Sequence, residues 1–237
     1  MEQEQRLIAM GKMAASLAHE IRNPLGSMEL FCGLLEQDLA QQPQLLSTAQ
    51  QIHKGIKTVN HIITNCLQFA KGIIIKKNRV ENVSDYLQSA VDGLKQKIDK
   101  AEVDVWVEFL GEGELSIDEY QVKQIILNLL ANAVDAVSER AANSDIDMPK
   151  IVRIMSDLTD PMFWVLSVID SGVGINDEQK ENMFDPFYST KPEGTGLGLA
   201  IVGSIISAHG GEIYIENNTE EVNNGLGCTV VVKLPRW

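Results

Sequence analysis

Apolar residues recur at alternating spacings of three and four along two stretches before residue 72. Leu7, Met10, Ala14, Leu17, Ile21, Pro24, Met28, Phe31 and Leu35 form the first stripe. Leu45, Ala49, Ile52, Ile56, Val59, Ile63, Cys66 and Ala70 form the second. That period predicts two long amphipathic helices. Gln41-Gln42-Pro43 separates them, and a proline there stops one helix and fits the first turn of the next. The pair reads as an antiparallel hairpin. Two hairpins can close their seams as a four-helix bundle, so dimerisation is expected.

The pattern changes after a linker at 72–80. Ser84 is expected to cap a helix running to about Lys100. Val103, Val105, Val107 and Phe109 alternate, which predicts a strand. Val122, Ile125, Ile126, Leu129, Leu130, Ala133 and Val137 mark a helix from about Glu119 to Arg140. Strands follow near 150–156 and 163–169, then an irregular Gly-rich segment from Asp170 to Gly196. A helix from about Leu197 ends at Gly210-Gly211, and the last strands fall near 212–216 and 228–234. The expected fold class is α+β: a dimerising helical hairpin over 1–75, then an α/β sandwich over 80–237 with helices on one sheet face.

Composition narrows the functions available. The 237 residues carry 20 basic and 33 acidic side chains, a net charge of −13. So anionic a chain is poorly suited to nucleic acid or anionic membranes. Its three cysteines (Cys32, Cys66 and Cys228) are odd in number and widely spaced, as expected of reduced thiols in the cytoplasm. Apolar runs such as Gly72 to Ile75 are too short to span a bilayer, and no signal-peptide pattern follows Met1.

Four groups of residues carry candidate chemistry. His19 falls at an outward heptad position, followed by Glu20, with Asn23 one turn on and Pro24 loosening the helix. An exposed imidazole beside a carboxylate is a plausible nucleophile. Asn128 and Asn132 share one face of an apolar helix and offer oxygen ligands to Mg²⁺ and phosphate. Asp170 ends a strand and is followed by Gly172 and Gly174, suiting a carboxylate that accepts from a nucleobase amino group. Gly194, Thr195, Gly196, Leu197 and Gly198 open a helix, where backbone N–H groups cradle phosphate. Before them, Phe184 and Phe187 can pin a lid from which Lys191 reaches a terminal phosphate. Singly, each group also reads as an ordinary solvated side chain or turn. His53 and His61 read as solvated, and His209 as a partly positive imidazole at a helix C-terminus.

In order, these segments resemble the bacterial two-component sensor histidine kinases over residues 8–235. ASLAHEIRNPL is similar to that family's histidine box, QIILNLLANAVDA to its asparagine box, and VIDSGVGI to its first glycine box. MFDPFYSTK is similar to its phenylalanine box and GTGLGLAI to its second glycine box. The resemblance implies an ATP domain of the gyrase, Hsp90 and MutL group. It implies His19 as phosphoacceptor, Glu20 as its acid/base partner, and Asn23 as the residue that orients water in dephosphorylating the partner. It implies Mg²⁺ on Asn132 with Asn128 beside it, Asp170 on the adenine amino group, and Gly172 and Gly174 around the nucleotide. Lys191 and the Gly194–Gly198 loop would hold phosphates. Some members carry a basic residue where Asp135 stands, which leaves more of the phosphate charge to Lys191. The implied partner is the receiver domain of a response regulator, and STKPEGTGLGL resembles a subgroup paired with enhancer-binding transcription regulators. The rival expectation is an ATP-driven clamp or a serine-directed kinase of the same ATP-domain group.

Overall fold

The computed structural model describes residues 21, 23–71, 73–143, 148–191, 194–219 and 222–237, without the side chains of 61, 65–71 and 224. Leu7, Met10, Ala14, Leu17, His19 and Glu20 lie outside the described residues, as do the side chains of His61, Cys66 and Ala70.

Residues 23–38 form helix α1 and Pro43–Lys71 form α2, with the turn at the expected Gln-Gln-Pro. The heptad stripe divides into two parts. Leu25, Cys32 and Ile56 are buried together, with Ile63 packed against them. Ile21, Met28, Phe31 and Leu35 remain exposed, as do Leu45, Ile52 and Val59. Among the described residues, one hairpin therefore leaves seven apolar side chains of its stripes uncovered. His53 departs from the solvated reading. Its side chain is 16% exposed and its Nδ1 lies 2.7 Å from Glu36 Oε1 across the hairpin.

The rest is α+β. Strands β1 (Asn78–Val80) and β3 (Leu115–Ile117) pair antiparallel as a small ribbon. Helices α3 (Val83–Gly93) and α4 (Lys95–Ala101) follow β1. Asn82, not Ser84, caps α3, its side chain accepting from the Ser84 N–H at 3.2 Å. The single helix expected to reach Lys100 is broken at Leu94, where Gly93 weakens the helix interior.

A five-stranded sheet has the order β2-β4-β5-β7-β6. Its strands are β2 (Asp104–Leu110), β4 (Ile151–Asp157), β5 (Phe163–Asp170), β6 (Glu212–Asn217) and β7 (Cys228–Pro235). Only β2 and β4 run parallel. Alternation decides which side chains face the helices. Val152, Ile154, Trp164, Leu166 and Val168 are buried, while their odd-numbered neighbours Arg153, Met155 and Val165 are less so. Helix α5 (Glu119–Ala142) lies over β4 and β5, with α3 toward β2 and α7 (Gly198–His209) toward β6 and β7. Short α6 (Asp177–Asn182) sits in the stretch expected to be irregular, fixed by an Asn176–Gln179 capping box. Val122, Ile126, Leu130, Val134 and Val137 bury one stripe of α5, each worth about 1.5–3 kcal/mol.

One polar junction joins the linker to these layers. Asp118 caps α5, accepting from the Gln121 N–H at 3.1 Å and the Lys76 N–H at 2.8 Å. The Asp118 N–H donates to His209 Nε2 at 3.2 Å, and His209 Nδ1 donates to the Ile205 carbonyl at 2.9 Å. His209 is 4% exposed, so it is a neutral ring bridging two elements, not the expected partly positive one. Burial lowers its pKa from the ordinary 6.5. The unfolded chain thus binds a proton that the folded chain refuses. This contribution is complete above about pH 6.5 and is lost as pH falls below it, by at most about 1.4 kcal/mol per pH unit. Between pH 7.5 and 5.5 the melting temperature of the parent should fall more steeply than that of His209→Gln, whose amide can donate and accept in the same places. Equal slopes would contradict a neutral, buried His209.

Candidate nucleotide site

Period-two alternation puts Asp170, the last residue of β5, on the helix-facing side of the sheet, in line with Trp164, Leu166 and Val168. Cys228 opens β7 beside it. Asp170 is 3% exposed. Its Oδ1 accepts from the Gly172 N–H at 2.8 Å and the Cys228 N–H at 3.4 Å. The Cys228 thiol donates to Oδ2 at 3.2 Å. Burial raises the carboxyl above its usual range, opposed by these bonds and by the nearby Arg140 charge. Burial and the Asp170 charge push the thiol far upward, so it stays protonated and serves as a donor.

The backbone at this point is fixed as well. Asn218 and Asn223 both donate side-chain N–H groups to the Asp170 carbonyl, at 2.8 and 3.1 Å. Gly227, at φ 76°, comes so close that a Cβ there would lie 2.1 Å from that same oxygen. Only glycine permits this approach.

Asp170 closes the floor of a cavity of about 390 Å³ under α5. Leu129, Ala133, Val168 and Val230 give it apolar walls. Gly174, Gln179 and Met183 line the side made by α6 and the turn before it. Asn128 and Asn132 line it from α5, and Gly194, Thr195, Gly196 and Gly198 from the start of α7. Asn128 Nδ2 donates to the Gly198 carbonyl at 3.4 Å, tying the two helices. Among the described residues no side chain caps α7, so its first N–H groups can meet an anion. Gly196 (φ 65°) packs on the Phe187–Tyr188 backbone, where a Cβ would come within 2.3 Å. A buried carboxylate among apolar walls at one end, with free helix N–H groups and paired asparagines at the other, suits a purine nucleotide and a divalent cation on its phosphates.

Two expected site residues stand behind the wall. Gly172 packs on Ala136, and Leu197 is fully buried in the core. Asn23 is exposed on α1 and does not line the cavity, and its carbonyl accepts from Ser27 Oγ at 3.3 Å. Lys191 lines the mouth, but its Nζ lies 2.8 Å from Asp135 Oδ2. Cys228, Asn218 and Asn223 were not anticipated as site residues. The signal for Cys228 was its place at the start of an alternating strand after two glycines.

A one-layer helical cover lies over a mixed sheet, with a carboxylate-floored cavity beneath it. Residues 117–237 match the family described as "Histidine kinase-, DNA gyrase B-, and HSP90-like ATPase". Residues 9–72 match the "His Kinase A (phospho-acceptor) domain". The chain belongs to the two-component sensor histidine kinases.

Among its relatives, the signal transduction histidine-protein kinase AtoS of Escherichia coli is 32% identical over 240 residues, covering 99% of this chain and 36% of AtoS. Sensor histidine kinase FlgS of Helicobacter pylori is 32% identical over 223 residues, covering 93% of this chain and 55% of FlgS. The chain thus spans about a third to a half of the length of these relatives. The solved structure of histidine kinase ThkA in complex with response regulator protein TrrA matches with a TM-score of 0.66 and 27% identity. That match covers 99% of this chain and 64% of the solved one.

Gly227→Ala tests the cradle. The added methyl meets the backbone of Asp170 and forces a left-handed alanine, costing about 1–2 kcal/mol before any clash. ATP should raise the melting temperature of the parent and leave that of this variant unchanged. An unchanged shift would contradict the close packing of Gly227 on Asp170.

Proposed function

We propose that this chain is a histidine autokinase core that uses ATP to phosphorylate His19 and passes the group to an aspartate on a receiver protein. The observation that carries the reading is the Asp170-floored cavity in the same chain as a phosphoacceptor match that spans His19. Residues 1–75 act as the acceptor hairpin and 80–237 as the ATP-binding domain, in keeping with the two family matches and with the separate apolar clusters.

In this reading Asp170 accepts from the adenine amino group, and Gly174 lies against the nucleotide with Gly172 supporting Asp170. The Gly194–Gly198 loop and Lys191 receive the phosphates, and Asn132, with Asn128, holds the Mg²⁺ that offsets their charge. A ring nitrogen of His19 bonds to the γ-phosphorus as the bond to the bridging oxygen breaks, and ADP leaves. Glu20 holds the proton on the other ring nitrogen. Such transfer needs in-line placement more than covalent help. Asn23, one turn from His19, orients the water that removes phosphate from the receiver. ThkA, solved with a response regulator, supports a partner of that class. The resemblance of STKPEGTGLGL to the subgroup paired with enhancer-binding transcription regulators is the ground for reading the partner as one of those. The exposed apolar residues of the heptad stripes support a homodimer. A reaction that draws on ATP is expected in the cytoplasm, in keeping with the reduced thiols expected there.

Incubation with γ-labelled ATP tests the reading. The parent should acquire label that is lost in acid and kept in alkali, and His19→Gln should acquire none while still binding ATP. Acid-stable label would point to serine as acceptor. A chain that turns over ATP without labelling itself would act as a clamp. Either result contradicts the autokinase.

A further inference from the structure

We propose that Lys97, which does not line the cavity, sets the affinity for ATP by sharing the carboxylate of Asp135 with Lys191. The inference rests on the reading that Lys191 meets the nucleotide phosphates. Asp135 lies on α5 one turn beyond Asn132, and its side chain lines the cavity mouth. Lys191 Nζ lies 2.8 Å from its Oδ2, and Lys97 Nζ lies 2.7 Å from its Oδ1. Lys97 comes from α4 and also donates to the Ala131 carbonyl at 3.2 Å, which anchors it on α5. One anion therefore holds two cations that reach it from different elements. Burial pushes the Asp135 carboxyl upward, but the bonds from both lysines outweigh this and hold it below its usual 3.8.

The sharing has a direct consequence. A carboxylate beside the phosphates repels them and retains Lys191. Lys97 weakens both effects by neutralising Asp135 from the far side. Without Lys97, the full charge of Asp135 acts on Lys191 and on the nucleotide. Without Asp135, Lys191 is free for phosphate and Lys97 has nothing to neutralise. These groups are about one-third exposed, so solvent screens the interaction and the changes are moderate. No such effect should reach the base, which Asp170 holds at the other end of the cavity.

Calorimetric titration of ATP and of adenosine separates these terms. Lys97→Met should weaken ATP binding about threefold to tenfold, and Lys97→Arg should restore it. Asp135→Asn should tighten ATP binding by a similar factor, and the double variant should match Asp135→Asn. Adenosine affinity should stay constant throughout. The proposal is overturned if Lys97→Met binds ATP as the parent does, or if Asp135→Asn weakens binding. It is also overturned if Lys97→Met still weakens ATP binding in the Asp135→Asn background, which would mean direct contact with nucleotide. A parent chain that takes up neither ATP nor adenosine would instead contradict the nucleotide reading beneath it.

Discussion

A carboxylate placed under a helical layer is costly unless hydrogen bonds replace the water it loses, and Asp170 imposes that requirement on everything around the end of β5. Gly172 and Cys228 supply donors to its oxygens. Asn218 and Asn223 hold its carbonyl from the loop before β7, and Gly227 lets that loop come close enough. Arg140, buried near the C-terminal end of α5, adds a charge beneath the floor while its Nη2 donates to the Pro149 carbonyl at 2.6 Å. The cavity is therefore rigid at this end because several elements must agree on one side chain.

Its other end obeys different physics. Asp135, Lys97 and Lys191 are each about one-third exposed, so their pairs are screened and exchange partners at little cost. A fixed, dry floor favours discrimination between bases. In the proposed function, the more exposed mouth favours binding and release of phosphates. Both rest on α5, whose inward stripe packs into the core while Asn128, Asn132 and Asp135 reach the cavity. The Asp118 junction fixes the start of that helix to the linker and to the end of α7.

Much of this was legible in the sequence, because local periodicity and ordered motifs carried it. The heptads gave the hairpin and its turn, and the apolar spacing of α5 gave its buried face. The strand that ends at Asp170 gave the carboxylate its place. What escaped depends on contacts between distant parts of the chain. Cys228 meets Asp170 across 58 residues, and His209 meets Asp118 across 91. Neither pairing leaves a local pattern. His53 read as solvated because nothing near it in sequence announces Glu36, 17 residues away across the turn. The break at Leu94 and the β1–β3 ribbon are too short for periodicity to register.

In the proposed function, the buried Asp170 makes this cavity an adenine site. Guanine presents a carbonyl where adenine presents its amino group, so the carboxylate would face a second acceptor. Asp170→Asn keeps the shape, removes the charge and can turn a donor toward the base. Calorimetric titration of ATP and GTP into the parent and this variant measures the difference. The variant should bind ATP roughly tenfold or more weakly than the parent and discriminate less against GTP. Equal ATP affinity and an equal preference over GTP in the two proteins would contradict it.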